Sequence, residues 1–405
     1  MSETFQDLSR EQLLEVAREF GTPVYVYHAE RITRQYQKLT EAFRNCNVRF
    51  FFASKALTNV NILKHIHGLG ANVDCVSVNE VKLALKAGFR PEQVLFTPNC
   101  TDLQEYVEAR ELGVNINIDS LPMLAAFGDM YGGAYPINIR LNPHIMAGGN
   151  LKISTGHVNS KFGISIEQVE EIKSVVRAKG LQVRGIHLHT GSEIKDVEVF
   201  LKGLDIMFEM AAHFPDLKVI DLGGGFKVPY RPGDHETDMH ALGAAVCEAF
   251  KAHEAKTGKA YEVWFEPGKY LVSQSGYFLV KTNVVKRTPA KVFAGVNSGF
   301  NHLIRPMFYE AYHHIRNLSN PDGPEQLYTV VGNICETDTF ASDRPIAELR
   351  EGDVLVFQNA GAYGFEMSSR FNSRTRPPEV LVQDGQARLI RRRETFDDLL
   401  AGQVI

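Results

Sequence analysis

The chain has 405 residues, 44% of them hydrophobic and 23% charged, which is typical of a globular protein with room for about two or three domains. The formal net charge is −4, and no basic stripe suggests nucleic acid or an anionic membrane as a partner. The first 21 residues are charged and patterned as a helix, and the five cysteines form neither a disulfide framework nor a zinc motif, so we expect a cytoplasmic protein with reduced thiols and no metal.

Short apolar runs alternate with helical patterns from about residue 45 to residue 270. The segments between the runs open near Ser or Thr and close on Gly, as helices do. Strands that alternate with helices pair in parallel, so eight of them favour a (β/α)8 TIM barrel, with a doubly wound open sheet as the alternative. The predicted strands are 48–53, 72–76, 94–96, 115–118, 137–141, 185–188, 219–222 and 261–265.

The remainder of the chain has a different pattern. After about Leu271 the apolar runs follow one another with little helical pattern between them, which predicts a β-rich second domain. Asp384 and Gly385 separate two of these runs and predict a type I′ hairpin. We therefore expect a barrel domain at 25–275 and a C-terminal β domain at 276–405, to which the N-terminal segment 1–24 also belongs.

Residues able to carry chemistry follow the predicted barrel strands. The active site of a (β/α)8 barrel lies at the carboxyl ends of its strands. Lys55 follows the apolar run VRFFFA, where a lysine either reaches solvent or lies in a pocket and acts as a nucleophile. The other strand ends carry Asp74, Arg140, the segment HLHTGS (187–192), the segment DLGGGF (221–226) and the segment FEPGKY (265–270). Their common position on one rim favours an active site.

The residue types at this rim suit one kind of site. Gly223, Gly224 and Gly225 lack a Cβ, so their backbone can approach a phosphate, which barrels often bind after the seventh strand. Glu266 at an apolar strand end needs a cationic partner or a proton. A lysine that forms a Schiff base, a ring that stacks, a phosphate-binding turn and a carboxylate for a pyridine nitrogen are the parts of a pyridoxal phosphate site.

These motifs resemble those of the fold-type III pyridoxal phosphate decarboxylases, which join an alanine-racemase-like barrel to a C-terminal β domain. The resemblance extends over nearly the whole chain and implies pyridoxal 5'-phosphate as the cofactor. Lys269 stands where the family usually has an arginine that binds phosphate or substrate carboxylate; it keeps the charge but loses the bidentate fork. The implied cofactor-binding residues are Lys55 on the carbonyl, His189 on the ring, Ser192 and the glycine turn Gly223, Gly224 and Gly225 on the phosphate, Glu266 on the pyridine nitrogen, and Asp74, Arg140, Gly268, Lys269 and Tyr363 around them.

The C-terminal half carries motifs that the resemblance assigns to the substrate. IRPMFYEAYH (304–313) implies that Arg305 and Tyr309 bind a substrate carboxylate. GNICETDTF (332–340) resembles a Cys-Glu motif, which implies Cys335 as the proton donor and Glu336 as the ligand of the distal ammonium. The segment 361–382 implies that Tyr363 lies at the cofactor and the substrate, and the segment 141–163 implies an active-site loop. Lys55 and Cys335 are thus the implied catalytic residues, and Lys269 is a further candidate for substrate binding.

The branch of the family with the closest motifs decarboxylates meso-2,6-diaminopimelate to L-lysine and CO2, the last step of lysine biosynthesis. The resemblance therefore implies this activity, a small amino-acid substrate, and a homodimer in which the Cys-Glu segment completes the active site of the opposite subunit. Decarboxylation of carboxynorspermidine, ornithine or lysine on the same fold is the alternative, although ornithine and lysine lack the distal carboxylate. The CET segment disfavours an alanine racemase, and the second domain disfavours a non-catalytic cofactor-binding regulator.

Overall fold

The computed structural model describes residues 7–145, 156 and 159–404. Most of the active-site loop expected at 141–163 lies outside the described residues, so that expectation stays a prediction. The strands are β1 (Val24–His28), β2 (Val48–Ala53), β3 (Asn72–Cys75), β4 (Val94–Phe96), β5 (Asn115–Ile118), β6 (Ile137–Asn142), β7 (Ile164–Ser165), β8 (Val183–Leu188), β9 (Val219–Asp221), β10 (Glu262–Phe265), β11 (Gly276–Arg287), β12 (Val292–Val296), β13 (Ile315–Asn317), β14 (Glu325–Val331), β15 (Thr339–Ala347), β16 (Val354–Phe357), β17 (Glu379–Gln383) and β18 (Gln386–Arg391).

Helices connect most of the early strands and become rare after residue 272. They are α1 (Arg10–Phe20), α2 (Ala29–Ala42), α3 (Val60–Gly68), α4 (Val78–Ala87), α5 (Leu103–Glu111), α6 (Leu121–Tyr131), α7 (Val169–Lys179), α8 (Val197–Ala211), α9 (Met239–Thr257), α10 (Lys269–Val272), α11 (Arg305–Tyr309) and α12 (Phe396–Leu400). The predicted capping residues are present at α4. The Ser77 side chain accepts a hydrogen bond from the Glu80 N–H at the start of the helix, and Gly88 ends the helix at φ +106°.

The chain divides into two compact units. One, called the barrel unit below, comprises residues 34–228 and 235–270, and the other, called the β unit, comprises the residues up to 33, residues 229–234 and the residues from 271 onward. None of the helices within the described ranges is long and apolar enough to cross a bilayer.

The barrel unit contains a closed ring of eight parallel strands. The ring runs β2-β3-β4-β5-β6-β8-β9-β10, and β10 pairs with β2 to close it, so the prediction of a barrel rather than an open sheet is confirmed. Each barrel strand begins and ends within two residues of its predicted bounds. The agreement follows from burial on both faces, which makes such strands continuous apolar runs. Phe51 and Trp264 pack in the core of this unit, with ring centroids 4.4 Å apart.

The β unit is built on a sheet that combines the two ends of the chain. Strand β1 lies between β11, with which it is antiparallel, and β17, with which it is parallel. Its apolar side chains join a core that includes Leu13, Val26 and Val380. Asp384 and Gly385 form the two-residue turn between β17 and β18, and both have positive φ, which confirms the predicted hairpin.

The cysteines depart from the expectation. Cys46 and Cys247 form a disulfide across 201 residues of sequence, so the prediction of fully reduced thiols is wrong for this pair. Their spacing resembles no disulfide framework, because the pairing joins the loop before β2 to helix α9 and depends on the folded barrel. Cys75, Cys100 and Cys335 are free thiols, of which Cys75 is buried.

Candidate active site

Lys55 lies at the carboxyl end of β2. It lies in a single 3-10 turn, residues 54–56, directly after the buried residues of the strand. Its side chain is 39% exposed, and its Nζ lies 3.8 Å from Oδ2 of Asp74, whose side chain has no exposure at all. Lys55 therefore neither extends freely into solvent nor lies fully buried, and its ammonium is held beside a carboxylate.

Asp74 is fully buried and lies near a second carboxylate. Burial and the neighbouring charge of Glu266 raise the pKa of Asp74 to about 8, although Lys55 opposes them. Neither oxygen of Asp74 has a hydrogen-bond partner within the described part of the chain. A protonated Asp74 beside Lys55 is thus the form that this environment favours.

Three buried groups meet at the ends of β8, β9 and β10. His187, Asp221 and Glu266 each bring one potential ligand atom within 4.8 Å of the others. His187 Nε2 lies 3.4 Å from Glu266 Oε1, and the Asn117 amide lies 3.3 Å from His187 Nδ1. If the amide nitrogen of Asn117 donates to Nδ1, the proton of a neutral His187 is on Nε2 and faces the carboxylate.

The protons in this cluster are unevenly distributed. Burial raises the pKa of Asp221 well above its ordinary value, and the neighbouring Glu266 adds to the shift, which favours the protonated form of Asp221. Burial alone would raise the pKa of Glu266, but His187 and Lys55 outweigh it and hold the value at about 2. Because burial also lowers the pKa of His187, we interpret its contact with Glu266 as donation from a neutral imidazole.

The glycine turn after β9 is required by its surroundings. A Cβ at Gly224 would lie 2.2 Å from the carbonyl oxygen of Glu266, and a Cβ at Gly225 would lie 2.2 Å from that of Gly191. Gly223 and Gly225 also have φ of +65° and +98°, which favour glycine. The turn therefore packs directly against the segment after β8 that carries Ser192, which is half-buried.

Two N–H groups of this turn are engaged within the protein. The Gly223 N–H donates to Asp221 Oδ1 at 2.9 Å, and the Gly224 N–H donates to His189 Nδ1 at 3.2 Å. His189 is consequently an acceptor at Nδ1, and burial lowers its pKa well below the ordinary value, with Lys55 and Arg140 adding to the shift. The turn thus positions the His189 ring. It lets a ligand approach the backbone closely at residue 225, but two of its three N–H groups already donate within the protein.

The remaining barrel residues surround this centre. Arg140 in β6 is buried with its guanidinium 4.7 Å from the Phe162 ring, and burial lowers its pKa. Gly268 is buried between β10 and Lys269, and Lys269 Nζ lies 2.9 Å from Glu193 Oε1. All predicted residues of the barrel motifs therefore lie at the carboxyl ends of the strands or in the segments that directly follow them.

The β unit holds a buried arginine that has no acidic partner among the residues that the structure describes. Arg305, the first residue of α11, is 4% exposed, and no carboxylate of the described residues lies within ion-pair distance of it. Its Nη1 lies 3.3 Å from His313 Nε2, and its guanidinium lies 4.9 Å from the Tyr230 ring. Its Nε has no hydrogen-bond acceptor in the described part of the chain. Tyr309, at the other end of α11, is half-buried. A buried cation of this kind is suited to an anionic ligand.

Cys335 and Glu336 are exposed residues of the β unit, in the turn between β14 and β15. The Cys335 N–H donates to Asn372 Oδ1 at 2.8 Å, and the Asn372 amide lies 3.1 Å from Cys335 Sγ. The neighbouring ring of Phe371 is also exposed. Tyr363 lies after β16, half-buried and at φ +57°.

Sequence reasoning missed several residues that contact these groups. His187 and Asp221 lie inside the quoted motifs, and the alternation of a strand places His187 on the same face as His189, which is a usable signal. His313 is the last residue of the segment that carries Arg305. Tyr230 gave no signal, because residues 229–234 belong to the β unit although they are flanked on both sides by barrel sequence.

The barrel residues fit pyridoxal phosphate. Lys55 supplies an amine, Glu266 supplies an ionised carboxylate, and the cradle formed by residues 223–225 excludes side chains that would fill it. Glu266 Oε1 is buried, and its contact with His187 Nε2 at 3.4 Å is longer than a strong hydrogen bond, so this carboxylate can accept from a further donor.

Comparisons with known proteins point the same way. Residues 29–273 match the family described as "Pyridoxal-dependent decarboxylase, pyridoxal binding domain". The diaminopimelate decarboxylase of Methanothermobacter thermautotrophicus is 39% identical over 400 residues, which cover 96% of this chain and 93% of that protein. The Escherichia coli K12 enzyme of the same name is 37% identical, with 99% and 98% covered.

Solved structures give the same result. A crystal structure of a diaminopimelate decarboxylase has a TM-score of 0.90 and 36% identity, with 98% of this chain and 97% of that chain covered. The Helicobacter pylori diaminopimelate decarboxylase complexed with L-lysine has a TM-score of 0.88 and 30% identity, with 96% and 98% covered. A lysine/ornithine decarboxylase of Vibrio vulnificus has a TM-score of 0.82 at 18% identity, with 94% and 100% covered, a likeness of fold alone.

Proposed function

The chain belongs to the pyridoxal-dependent decarboxylases, and on that premise we propose that it converts meso-2,6-diaminopimelate to L-lysine and CO2 with pyridoxal phosphate as the cofactor. The observation that carries the choice of substrate is Arg305, buried without an acidic partner among the described residues. Diaminopimelate has a second carboxylate to offer such a group, whereas lysine and ornithine have none at the distal end. Decarboxylation of a related substrate, such as carboxynorspermidine, ornithine or lysine, remains the alternative.

The barrel unit has the residues needed for the cofactor. When bound, pyridoxal phosphate supplies an electron sink for the pair left behind as the carboxylate departs as CO2. Lys55 would bind its carbonyl carbon and give way to the substrate amine. Glu266, held ionised by His187, would accept a hydrogen bond from the protonated pyridine nitrogen, while His189 would present its ring to the pyridine ring. Ser192, the glycine turn and Lys269 would hold the phosphate or, for Lys269, a substrate carboxylate.

The β unit would supply the substrate contacts and the final proton. Arg305 and Tyr309 would bind the carboxylate of the L-centre, Glu336 would bind its ammonium, and Cys335 would protonate the carbon that has lost CO2. Tyr363 would contact cofactor and substrate. A site built from such polar pairs rejects analogues that lack one group, because the buried partner is then left unpaired.

We further propose a homodimer in which Cys335 and Glu336 complete the site of the other copy. Their exposure supports this, since a catalytic thiol and a substrate-binding carboxylate are expected to be shielded from water in the working site. The exposed Phe371 ring beside them is of the kind that interfaces bury. A cytoplasmic location is also part of the proposal, although the disulfide between Cys46 and Cys247 removes the argument from reduced thiols.

The direct test is turnover of meso-diaminopimelate by the purified protein with pyridoxal phosphate, following both CO2 and lysine. Arg305→Met should keep the visible absorbance of lysine-bound cofactor. Its kcat/KM should fall about 100-fold, which corresponds to the free energy of a hydrogen bond to a charged group. Arg18→Met, at an exposed position of α1, is the matched control and should change little. Turnover of ornithine, lysine or carboxynorspermidine in preference to diaminopimelate would contradict the assignment.

A further inference from the structure

The contacts of the His313 ring determine which of its two nitrogens carries a proton. His313 is buried, and its Nδ1 lies 2.8 Å from the backbone carbonyl oxygen of Gln358. A carbonyl oxygen can only accept, so Nδ1 carries the proton and donates it. Nε2 of a neutral His313 is then an acceptor, and it receives the Nη1–H of Arg305 at 3.3 Å.

His313 cannot readily become charged in this position. Burial lowers its pKa to about 3, and the positive charge of Arg305 adds to the effect, as does Arg344, whose Nη1 donates to the His313 carbonyl oxygen at 2.8 Å. Both ring nitrogens are also fully used by the contacts above. The acceptor that faces Arg305 is therefore neutral over the whole range in which the protein is expected to work.

The second contact of the guanidinium is also with an uncharged group. The Tyr230 ring lies 4.9 Å from the Arg305 guanidinium carbon and packs edge-on against the His313 ring, with centroids 6.0 Å apart. A cation over an aromatic ring is attracted to it without being neutralised. The guanidinium is thus held by two uncharged groups, His313 and Tyr230, and its Nε has no acceptor among the described residues.

We propose that His313 is a positioning residue that aims Arg305 from a neutral acceptor, so that the guanidinium keeps its charge for the distal carboxylate of the substrate. The inference rests on the proposed function. A carboxylate at position 313 would hold the arginine equally well but would satisfy its charge, and substrate would then have to compete with a built-in partner. Buried arginines are usually paired with acids. A histidine as the partner of Arg305 instead leaves the arginine charge available to a ligand.

The test compares two inhibitors that differ by one group, L-lysine and cadaverine, on the cofactor-loaded enzyme. L-lysine has the carboxylate that Arg305 would bind, and cadaverine is the same diamine chain without it. His313→Glu should weaken L-lysine at least 30-fold and raise KM for diaminopimelate, whereas cadaverine should change less than about threefold, since only the lost charge contact is at stake. His313→Gln, which keeps a neutral acceptor, should stay within about fivefold of wild type for L-lysine.

Two controls separate positioning from structural damage. His240→Glu introduces the same carboxylate at an exposed position of α9 and should leave both inhibitors unchanged. If His313→Glu fails to fold, His313→Leu removes the acceptor without adding charge and should weaken L-lysine about tenfold with cadaverine unaffected. Equal weakening of both inhibitors, or unchanged L-lysine binding in His313→Glu and His313→Leu, would overturn the inference. Binding of both inhibitors by calorimetry remains measurable if diaminopimelate is not turned over, so failure of the proposed function would be distinguishable.

Discussion

Lys269 and Glu193 form an ion pair in the barrel unit, with Nζ 2.9 Å from Oε1. Lys269 is 8% exposed, and Glu193 adopts φ +65°, a left-handed conformation that is uncommon for a residue with a side chain. The family motif that the segment 265–270 resembles usually has an arginine where this chain has Lys269. An ammonium needs fewer fixed acceptors than a guanidinium fork, so this carboxylate provides a local partner suited to lysine.

Removing the negative charge of this pair should destabilise the protein. Glu193→Gln is expected to lower the free energy of unfolding by about 1 to 2 kcal/mol, less than for a fully buried pair because Glu193 is one-third exposed. Urea unfolding measures the change, and Glu248→Gln, at an exposed position in the middle of α9, is the matched control. Equal midpoints for the two variants would mean that the ion pair contributes nothing.

The raised pKa of Asp74 predicts a pH-dependent stability for the cofactor-free protein. The folded value is about 8 against an ordinary 3.8, so between about pH 4 and pH 8 the folded state holds a proton that the unfolded chain has released. By linkage, the free energy of unfolding falls as pH rises through this window. Asp74→Asn abolishes the effect, so the stability of the variant relative to wild type should increase from pH 5 to pH 8.

The measurement is urea unfolding at pH 5, 6, 7 and 8 for both proteins, since the difference cancels other titrating groups. Asp196→Asn, at an exposed position before α8, controls for the loss of a surface carboxylate. A constant difference between wild type and Asp74→Asn across these pH values would show that Asp74 titrates normally.

The cysteines predict a specific pattern of labelling. In the native protein a maleimide should react with the exposed Cys100 and not with Cys75, which is buried and whose thiol pKa burial raises; Cys335 is exposed in the single chain and should react only where the proposed dimer leaves it uncovered. Unfolding without reductant should expose three thiols and unfolding with reductant five, because Cys46 and Cys247 are joined. Mass spectrometry counts the labels. Five labels without reductant would contradict the disulfide.

Much of the barrel could be predicted because its strands, helix ends and turns are each specified by residues that are adjacent in sequence. Strands such as β2 are continuous apolar runs, the helix ends carry their caps, and Asp384 with Gly385 defines a turn by two adjacent residues. What the sequence could not supply depends on distant segments that meet only after folding. The pairing of Cys46 with Cys247 and the contact of Tyr230 with Arg305 are both of this kind.

The direction in which a side chain points was equally hard to predict. His313 lies in a quoted motif, but its role follows from the backbone carbonyl of Gln358, 45 residues away in sequence. His187 could have been placed beside Glu266 only with the register of β8 and β10 known. Local pattern therefore predicted which elements carry the site, and tertiary contacts decided the protonation of its members.

The proposed shared site predicts that two inactive variants restore activity to each other. Lys55→Ala and Cys335→Ala homodimers should each be nearly inactive, because every site carries one lesion. In a heterodimer of the two, one site carries both lesions and the other carries neither. Random assortment makes about half of the population heterodimers with one intact site of two, so activity should recover to about a quarter of wild type.

The control for this experiment uses two lesions in the barrel unit. Lys55→Ala mixed with Glu266→Ala should recover nothing, because both residues would belong to the same subunit's part of the site and each heterodimer site keeps one lesion. Subunit exchange is verified independently with two differently tagged preparations. If the Lys55→Ala and Cys335→Ala mixture stays at background while exchange is complete, both residues act within one chain, and the exposure of Cys335 needs another explanation.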